Sequence, residues 1–296
     1  MATRRPYVLL AIVCSGWGTI GLVVRSAHMP ATPIACSRIW IATAGLGAVL
    51  WATRDRVPGP APFSVHRGRL VLAGAVLAVH WTAFIGALQR APIGTVVMIV
   101  FLAPVGVAAA APRVLGERVT SMTIAALAVA LVGFALVAGP AAESTGGVGL
   151  VLAIVAGVSM IVLVLVSKPL AEVYGGLRFA FAEFAVAGVV LVPVGAFATW
   201  GPVRATWSWI IVLGLVHTAV GASLYLAALS EVPATHAAIL GYLEPAGAVV
   251  CGWLVLGEHL AGGELVGGAL IVVAGCLVVR AARPSAAELE VVGIAG

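Results

Sequence analysis

Residues 87–117, ALQRAPIGTVVMIVFLAPVGVAAAAPRVLGE, and residues 228–258, ALSEVPATHAAILGYLEPAGAVVCGWLVLGE, decide the fold when laid on one another. In one gapless register of 141 residues, Ala87-Leu88 meets Ala228-Leu229, Pro92 meets Pro233, Leu102 meets Leu243, Pro104 meets Pro245 and Gly106 meets Gly247. The same register sets Val114-Leu115-Gly116-Glu117 on Val255-Leu256-Gly257-Glu258, ten identities in 31 positions. Matches of Ala, Leu and Val arise by chance in an apolar chain, so the weight falls on the prolines, the glycines and the Gly-Glu pair. At a register of 140, Arg38 meets Arg178 and Ala42 meets Ala182, as one small length change allows. A fixed offset of this kind is the mark of an internal repeat.

The surrounding composition says where the repeat resides. Of the 296 residues 62% are hydrophobic and 9% charged, which excludes a soluble globular domain. Apolar runs recur near the ~20 residues that cross a bilayer as a helix, and they lack the alternation of barrel strands. Ten runs are found, at 7–24, 33–52, 69–88, 92–111, 121–138, 148–167, 179–199, 208–229, 233–253 and 264–280. Hydrocarbon offers the backbone no hydrogen-bond partner, so these runs are helices. Five helices per half is an odd number, so the second half enters the membrane the other way up. The expected fold is an all-α membrane protein of ten transmembrane helices in two inverted five-helix repeats. The first repeat spans 1–140 and the second 146–282, and 283–296 is a tail.

Placing the N-terminus inside puts Arg4, Arg5, Arg54, Arg56, Arg67, Arg69, Arg113, Arg118, Lys168, Arg178, Arg280 and Arg283 on the cytoplasmic side. Only Arg25, Arg90 and Arg204 fall outside. Twelve against three sets a multi-pass protein of the cell membrane with both termini cytoplasmic. No small-x-small cleavage site with a polar sequence follows Arg4-Arg5, so the first apolar run reads as an uncleaved helix. A formal charge of +5 is too thinly spread for a nucleic-acid partner. Cys14, Cys36, Cys251 and Cys276 form neither a CxxC pair nor a metal cluster, and no cofactor is expected.

Several motifs together carry a family resemblance: Ser15-Gly16-Trp17-Gly18, Arg38-Ile39-Trp40, Gly86-Ala87-Leu88 before Pro92, Pro104, Leu115-Gly116-Glu117, Leu243-Glu244-Pro245 and Leu256-Gly257-Glu258. From about residue 7 to 280 the chain resembles an EamA-type member of the drug/metabolite transporter superfamily. The resemblance implies alternating access around a central cavity lined mainly by the first, third, fourth, sixth, eighth and ninth helices. It also implies a secondary transporter of a small metabolite, an amino acid or related amphipathic compound, acting in export. The chain departs from the pattern in Glu183 and in lacking Trp-Gly in the sixth helix.

A charge in hydrocarbon costs at least ~3 kcal/mol and persists where it faces a cavity or a partner. Glu244 leads, halfway along the ninth helix and directly before Pro245, whose missing N–H frees a carbonyl and bends the helix. It reads as the partner of a cargo ammonium or as a protonatable coupling site; a carboxylate satisfied by neighbouring hydroxyls is the structural alternative. His236, Leu240 and Glu244 share one helical face, as do His217, Gly221 and Tyr225. His236, His217 and His80 are candidate proton carriers or packing residues. Arg38 reads as a snorkelling side chain first, and otherwise as a gating or carboxylate-binding group. Glu183 reads as a stabiliser of the cytoplasmic helix end near Arg178.

In the repeat register Phe84 meets Tyr225 and Phe101 meets Tyr242. With Trp17 and Trp81 these are candidates for an aromatic frame around the cavity, against ordinary packing. Pro104 and Pro245 are candidate hinges. Glu117 and Glu258 lie before the fifth and tenth helices as candidate caps. His28, His66 and His259 fall in loops and read as solvated. Gly263, Gly267 and Gly275 make a small-residue face suited to the fifth helix or to a second protomer in a homodimer. The partners expected are a small-molecule substrate, the lipid bilayer and protons as a candidate coupling ion. A passive channel, a scaffold or an intramembrane enzyme are the other classes, the last lacking HExxH, GxSxG or a nucleotide loop.

The charge bias generates a test. A single cysteine at Pro60 or Glu290 will react with impermeant maleimide only in inverted vesicles, and labelling from outside intact cells would overturn the orientation.

Overall fold

The computed structural model describes residues 4–27, 29–53, 62–88, 90–91, 93–138, 147–200, 207–257 and 262–281. Pro92, His28, His259, Glu258, Arg54, Arg56, Arg204, Arg283 and the 283–296 tail lie outside them, as do the labelling positions Pro60 and Glu290.

Among the described residues there are helices and turns but no strand. In order they are α1 (Arg5–Trp17), α2 (Ile20–Ala27), α3 (Ala31–Thr53), α4 (Arg67–Leu88), α5 (Ile93–Val100), α6 (Ala103–Val114), α7 (Ser121–Ala138) and α8 (Gly147–Tyr174). There follow α9 (Gly176–Ala196), α10 (Trp207–Val212), a π-helix (Leu213–Val220), α11 (Gly221–Leu229), α12 (Ala234–Leu240), α13 (Leu243–Leu256) and α14 (Gly262–Ala281). Among the described residues eight helical stretches are long and apolar enough to cross a membrane: Arg5–Val24, Thr32–Thr53, Arg67–Leu88, Gly147–Tyr174, Gly176–Ala196, Trp207–Leu229, Ala234–Val255 and Gly262–Arg280. The expected fifth helix is a shorter apolar one, Ser121–Val137. The expected fourth is two helices, α5 and α6, broken at residues 101–102.

The break has a covalent cause. Pro104 and Pro245 have no N–H, and their rings crowd the carbonyl four residues back, so each opens a helix one turn upstream. The repeat carries the second break to 241–242, between α12 and α13. The two breaks meet. The Val105 N–H bonds to the Leu102 carbonyl at 3.0 Å, which leaves the Phe101 carbonyl to accept from the Tyr242 hydroxyl at 2.7 Å. Tyr242 and Phe101 also pack on Phe134, at 5.4 and 5.2 Å between ring centroids. The repeated Gly116 and Gly257 follow α6 and α13 with φ of +68° and +67°, a left-handed helix stop that side chains rarely adopt.

The expected sixth helix ends near 167, but α8 runs on to Tyr174 through Pro169. Lys168 holds that extra length. Its Nζ donates to the Leu229 and Val232 carbonyls at 3.2 and 2.7 Å and pairs with Glu172 at 3.1 Å. Glu117 lies 3.7 Å from the same ammonium, and both its oxygens accept from the Ala234 N–H at 2.8 Å. Glu117 therefore caps α12, a helix of the other half, and not the helix that follows it in sequence.

Packing joins the halves throughout. α3 lies on α9 and the π-helix, α4 on α8 and α9, α1 on α11 and α13, and α6 on α8 and α12. α7 lies along α14, where Gly133 and Gly267 touch backbone to backbone: a Cβ on Gly267 would stand 2.5 Å from the Gly133 carbonyl oxygen and 2.9 Å from the Leu136 Cβ. Gly263 faces Leu136 in the same seam, whereas Gly275 faces Leu240 of α12.

Two consequences are measurable in purified protein. Gly267→Val overpacks the α7–α14 seam and will cost about 1–3 kcal/mol, seen as a lower melting temperature, while Gly268→Val, with nothing within 4 Å of its Cβ, will melt near wild type. Tyr242→Phe strands the Phe101 carbonyl and will cost about 1–3 kcal/mol. An unchanged melting temperature in Tyr242→Phe would remove the hydroxyl as the link between the breaks.

Candidate functional site

Between the halves lies a cavity of about 260 Å³, walled by residues of α1 to α6, α8, α9, the π-helix and α11 to α13. Among the described residues α7 and α14 contribute none. The cavity thus takes in α3 and α9, beyond the helices that the family resemblance implied.

Arg38 sits two turns into α3, 7% exposed, and does not snorkel. The reason is a set of inward partners. Its Nε–H donates to Thr218 Oγ1 at 3.0 Å, and its guanidinium lies 4.2 Å above the Trp81 ring. Thr218 in turn donates to the Leu213 carbonyl, five residues back, at 2.8 Å. That is the carbonyl which the wide π turn makes reachable. No hydrogen bond is made by the terminal nitrogens of Arg38 among the described residues, so the planar fork remains open for a ligand.

His217 shares the π-helix and lines the cavity. The Thr19 hydroxyl donates its single hydrogen to the Gly16 carbonyl at 2.7 Å, so the His217 Nε2–H donates to Thr19 at 2.8 Å. Its Nδ1 is buried without a hydrogen-bond partner. Trp17 closes this corner, donating from Nε1 to the His217 carbonyl at 2.9 Å and packing 5.3 Å from the Tyr225 ring. His80 donates from Nδ1 to the Ala156 carbonyl at 2.9 Å, with Phe84 stacked on its ring and Trp81 edge-on.

Glu244 stands in the first turn of α13 and lines the cavity. No donor reaches its carboxylate among the described residues, and Arg38 lines the same cavity. Glu183 was expected at a helix end. It is instead 4% exposed, two turns inside α9, on the cavity wall, and accepts from Ser167 Oγ at 3.0 Å. The expectation erred because α9 begins at Gly176, three residues before the apolar run. Arg178 lies apart, 4.9 Å over the Phe63 ring. Phe63 packs on Tyr174, whose hydroxyl accepts from the His66 N–H at 3.1 Å, so His66 is half-buried and not simply solvated.

Of the residues expected at the site, Trp17, Arg38, His80, Trp81, Phe84, Phe101, Pro104, His217, Tyr225 and Glu244 line the cavity. His236, Tyr242 and Pro245 are not among its lining residues. His236 loses the face it was expected to share with Glu244 because the break at 241–242 interrupts the helical register. Its Nδ1 bonds to the Tyr7 hydroxyl at 2.8 Å and its Nε2 to Thr123 Oγ1 at 3.1 Å, a fully satisfied packing residue. Thr218 and Ser167 are lining groups that the sequence does not single out; hydroxyls in apolar runs carry no periodic signal.

The EamA-like transporter family model matches the chain twice, over residues 4–139 and 147–280. An uncharacterized transporter of Archaeoglobus fulgidus is 33% identical over 66% of this chain and 70% of its own length. A probable terminal-alkyne amino-acid exporter of Streptantibioticus cattleyicolor is 32% identical over 86% of this chain and 89% of its own. The threonine/homoserine exporter of Escherichia coli K12 is 30% identical, with 58% of each chain covered. A crystal structure 19% identical superposes on 96% of this chain and 100% of its own with a TM-score of 0.81, a likeness of fold. With both halves matched, the chain belongs to the EamA-like transporter family and is a multi-pass membrane transporter.

Proposed function

We propose that the chain exports a small zwitterionic metabolite of the amino-acid class across the cell membrane by alternating access. The observation that carries this reading is one open guanidinium fork, Arg38, sharing a cavity with a carboxylate that lacks a donor, Glu244. A zwitterion offers the complement of both, its carboxylate to Arg38 and its ammonium to Glu244. The rings of Trp17, Trp81, Phe84, Phe101 and Tyr225 form the apolar wall for its side chain. The names of the Streptantibioticus and Escherichia relatives agree with amino-acid export.

The architecture we assign is ten spans in two inverted repeats, 1–140 and 146–282, with both termini cytoplasmic. Exchange of the halves turns the packing of α4 on α8 into that of α11 on α1. It likewise turns α4 on α9 into the π-helix on α3, and α13 on α1 into α5 and α6 on α8. A pseudo-two-fold arrangement predicts such pairs. The repeated breaks upstream of Pro104 and Pro245 supply bending points at the cavity, where helix segments swing while the α7–α14 seam stays packed.

Counterflow of labelled L-threonine, the cargo named for the Escherichia relative, tests the seat in proteoliposomes, within a panel of zwitterionic amino acids. Glu244→Gln and Arg38→Gln each remove the charge from a contact worth about 1.5–3 kcal/mol, so counterflow at limiting cargo will fall roughly 10- to 100-fold with melting temperature kept. Full counterflow by both variants would overturn the zwitterion seat.

A further inference from the structure

The cavity holds a second carboxyl that the zwitterion seat does not use. Glu183 reaches it from α9, and among the described residues Ser167 Oγ is the one donor it has, to Oε1 at 3.0 Å. Among the described residues no donor reaches Oε2, and no Lys, Arg or His stands within ion-pair distance.

Among the described residues none of the ionisable groups on the elements around α9 is hydrogen-bonded or ion-paired to Glu183. On α3 Arg38 is held at Nε by Thr218 and stacked on Trp81, with its terminal nitrogens left for the cargo seat. On α4 His80 is tied to the Ala156 carbonyl, and on α8 Lys168 is tied to the Leu229 and Val232 carbonyls, Glu117 and Glu172. On α11 Tyr225 lines the same cavity and packs on Trp17. Cys14 of α1, His217 of the π-helix and Glu244 of α13 complete the ionisable lining.

A buried carboxyl with one neutral donor persists only with a proton on it or a cation beside it. A metal cation needs several oxygen ligands. Ser167 Oγ is the side-chain oxygen bonded to Glu183, and no group of three His, Cys, Asp or Glu among the described residues could hold a metal. We propose that Glu183 is the proton site of the transporter, distinct from the Arg38–Glu244 cargo seat, and that it gives up its proton when cargo binds. The coupling is electrostatic: in the same low-dielectric cavity the cargo ammonium at Glu244 favours the ionised form of Glu183 and outweighs the opposing effect of the cargo carboxylate, whose charge is neutralised by Arg38. Glu183–COOH becomes Glu183–COO⁻, and the proton leaves to water in the cavity. Export of cargo is thereby linked to proton return. This rests on the exporter reading, and the measurements below separate the two.

Dicyclohexylcarbodiimide, which modifies protonated carboxyls in apolar surroundings, requires no cargo. It will label Glu183 near neutral pH, with labelling that declines as pH rises and is located by mass spectrometry; an unlabelled Glu183 in folded protein overturns the proposal. In weakly buffered detergent, L-threonine will release protons from wild type and none from Glu183→Gln. In proteoliposomes, Glu183→Gln will keep counterflow but lose the acceleration given by a pH gradient. Retained acceleration, or loss of counterflow in a folded Glu183→Gln protein, would each defeat a separate proton site. Wild-type counterflow without proton release or gradient response would also defeat it while leaving the exporter reading intact. Absence of counterflow for the whole amino-acid panel would defeat the exporter reading, and the carbodiimide result would then decide Glu183 alone.

Discussion

Hydrocarbon supplies no donor or acceptor, so every polar group that the sequence places in a membrane helix must be answered by another part of the chain. Here the answer repeatedly comes from the opposite half. Tyr7 and Thr123 close on His236, Trp17 and Thr19 on His217, Arg38 on Thr218, and His80 on the Ala156 carbonyl. Glu117 closes on the first N–H of α12, and Tyr242 on the Phe101 carbonyl. The helix breaks, the wide π turn and the long α8 are tolerated because these partners are in place.

The same constraint sorts structural from chemical residues. A polar group answered on all sides, such as His236, is a fastener. One answered on only part of its surface, and standing on the cavity wall, retains capacity for a ligand; Arg38, Glu244 and Glu183 share that condition. Proline placement brings the two kinds together. The bend before Pro245 sets Tyr242 against Phe101 and, two residues on, Glu244 in the cavity.

Much of the fold was legible in the chain. Span positions follow from apolar run lengths, and the repeated prolines mark the break sites. What periodicity could not reach was anything dependent on a departure from regular helix. Assuming an unbroken ninth helix put His236 on the face of Glu244, and the break at 241–242 removed it. The depth of Arg38 suits a snorkelling side chain, and its actual partners, Thr218 and Trp81, are remote in sequence. Hydropathy places a helix start only to within a turn, which sets Glu183 nearer a helix end than it is. Glu117 is legible as a cap, but the helix it caps begins at Ala234.

The cross-half fastenings bear on how the protein is made. Translation delivers the first five apolar segments to the membrane before their partners exist. Until α8 to α14 arrive, the Arg38 guanidinium, the His80 ring, the Phe101 carbonyl and Gly133 of α7 must be shielded by lipid headgroups, water or the insertion machinery. The nascent first half is therefore a loose set of helices waiting for a template, and the closing step of biogenesis is an intramolecular docking in which the late half completes the early one.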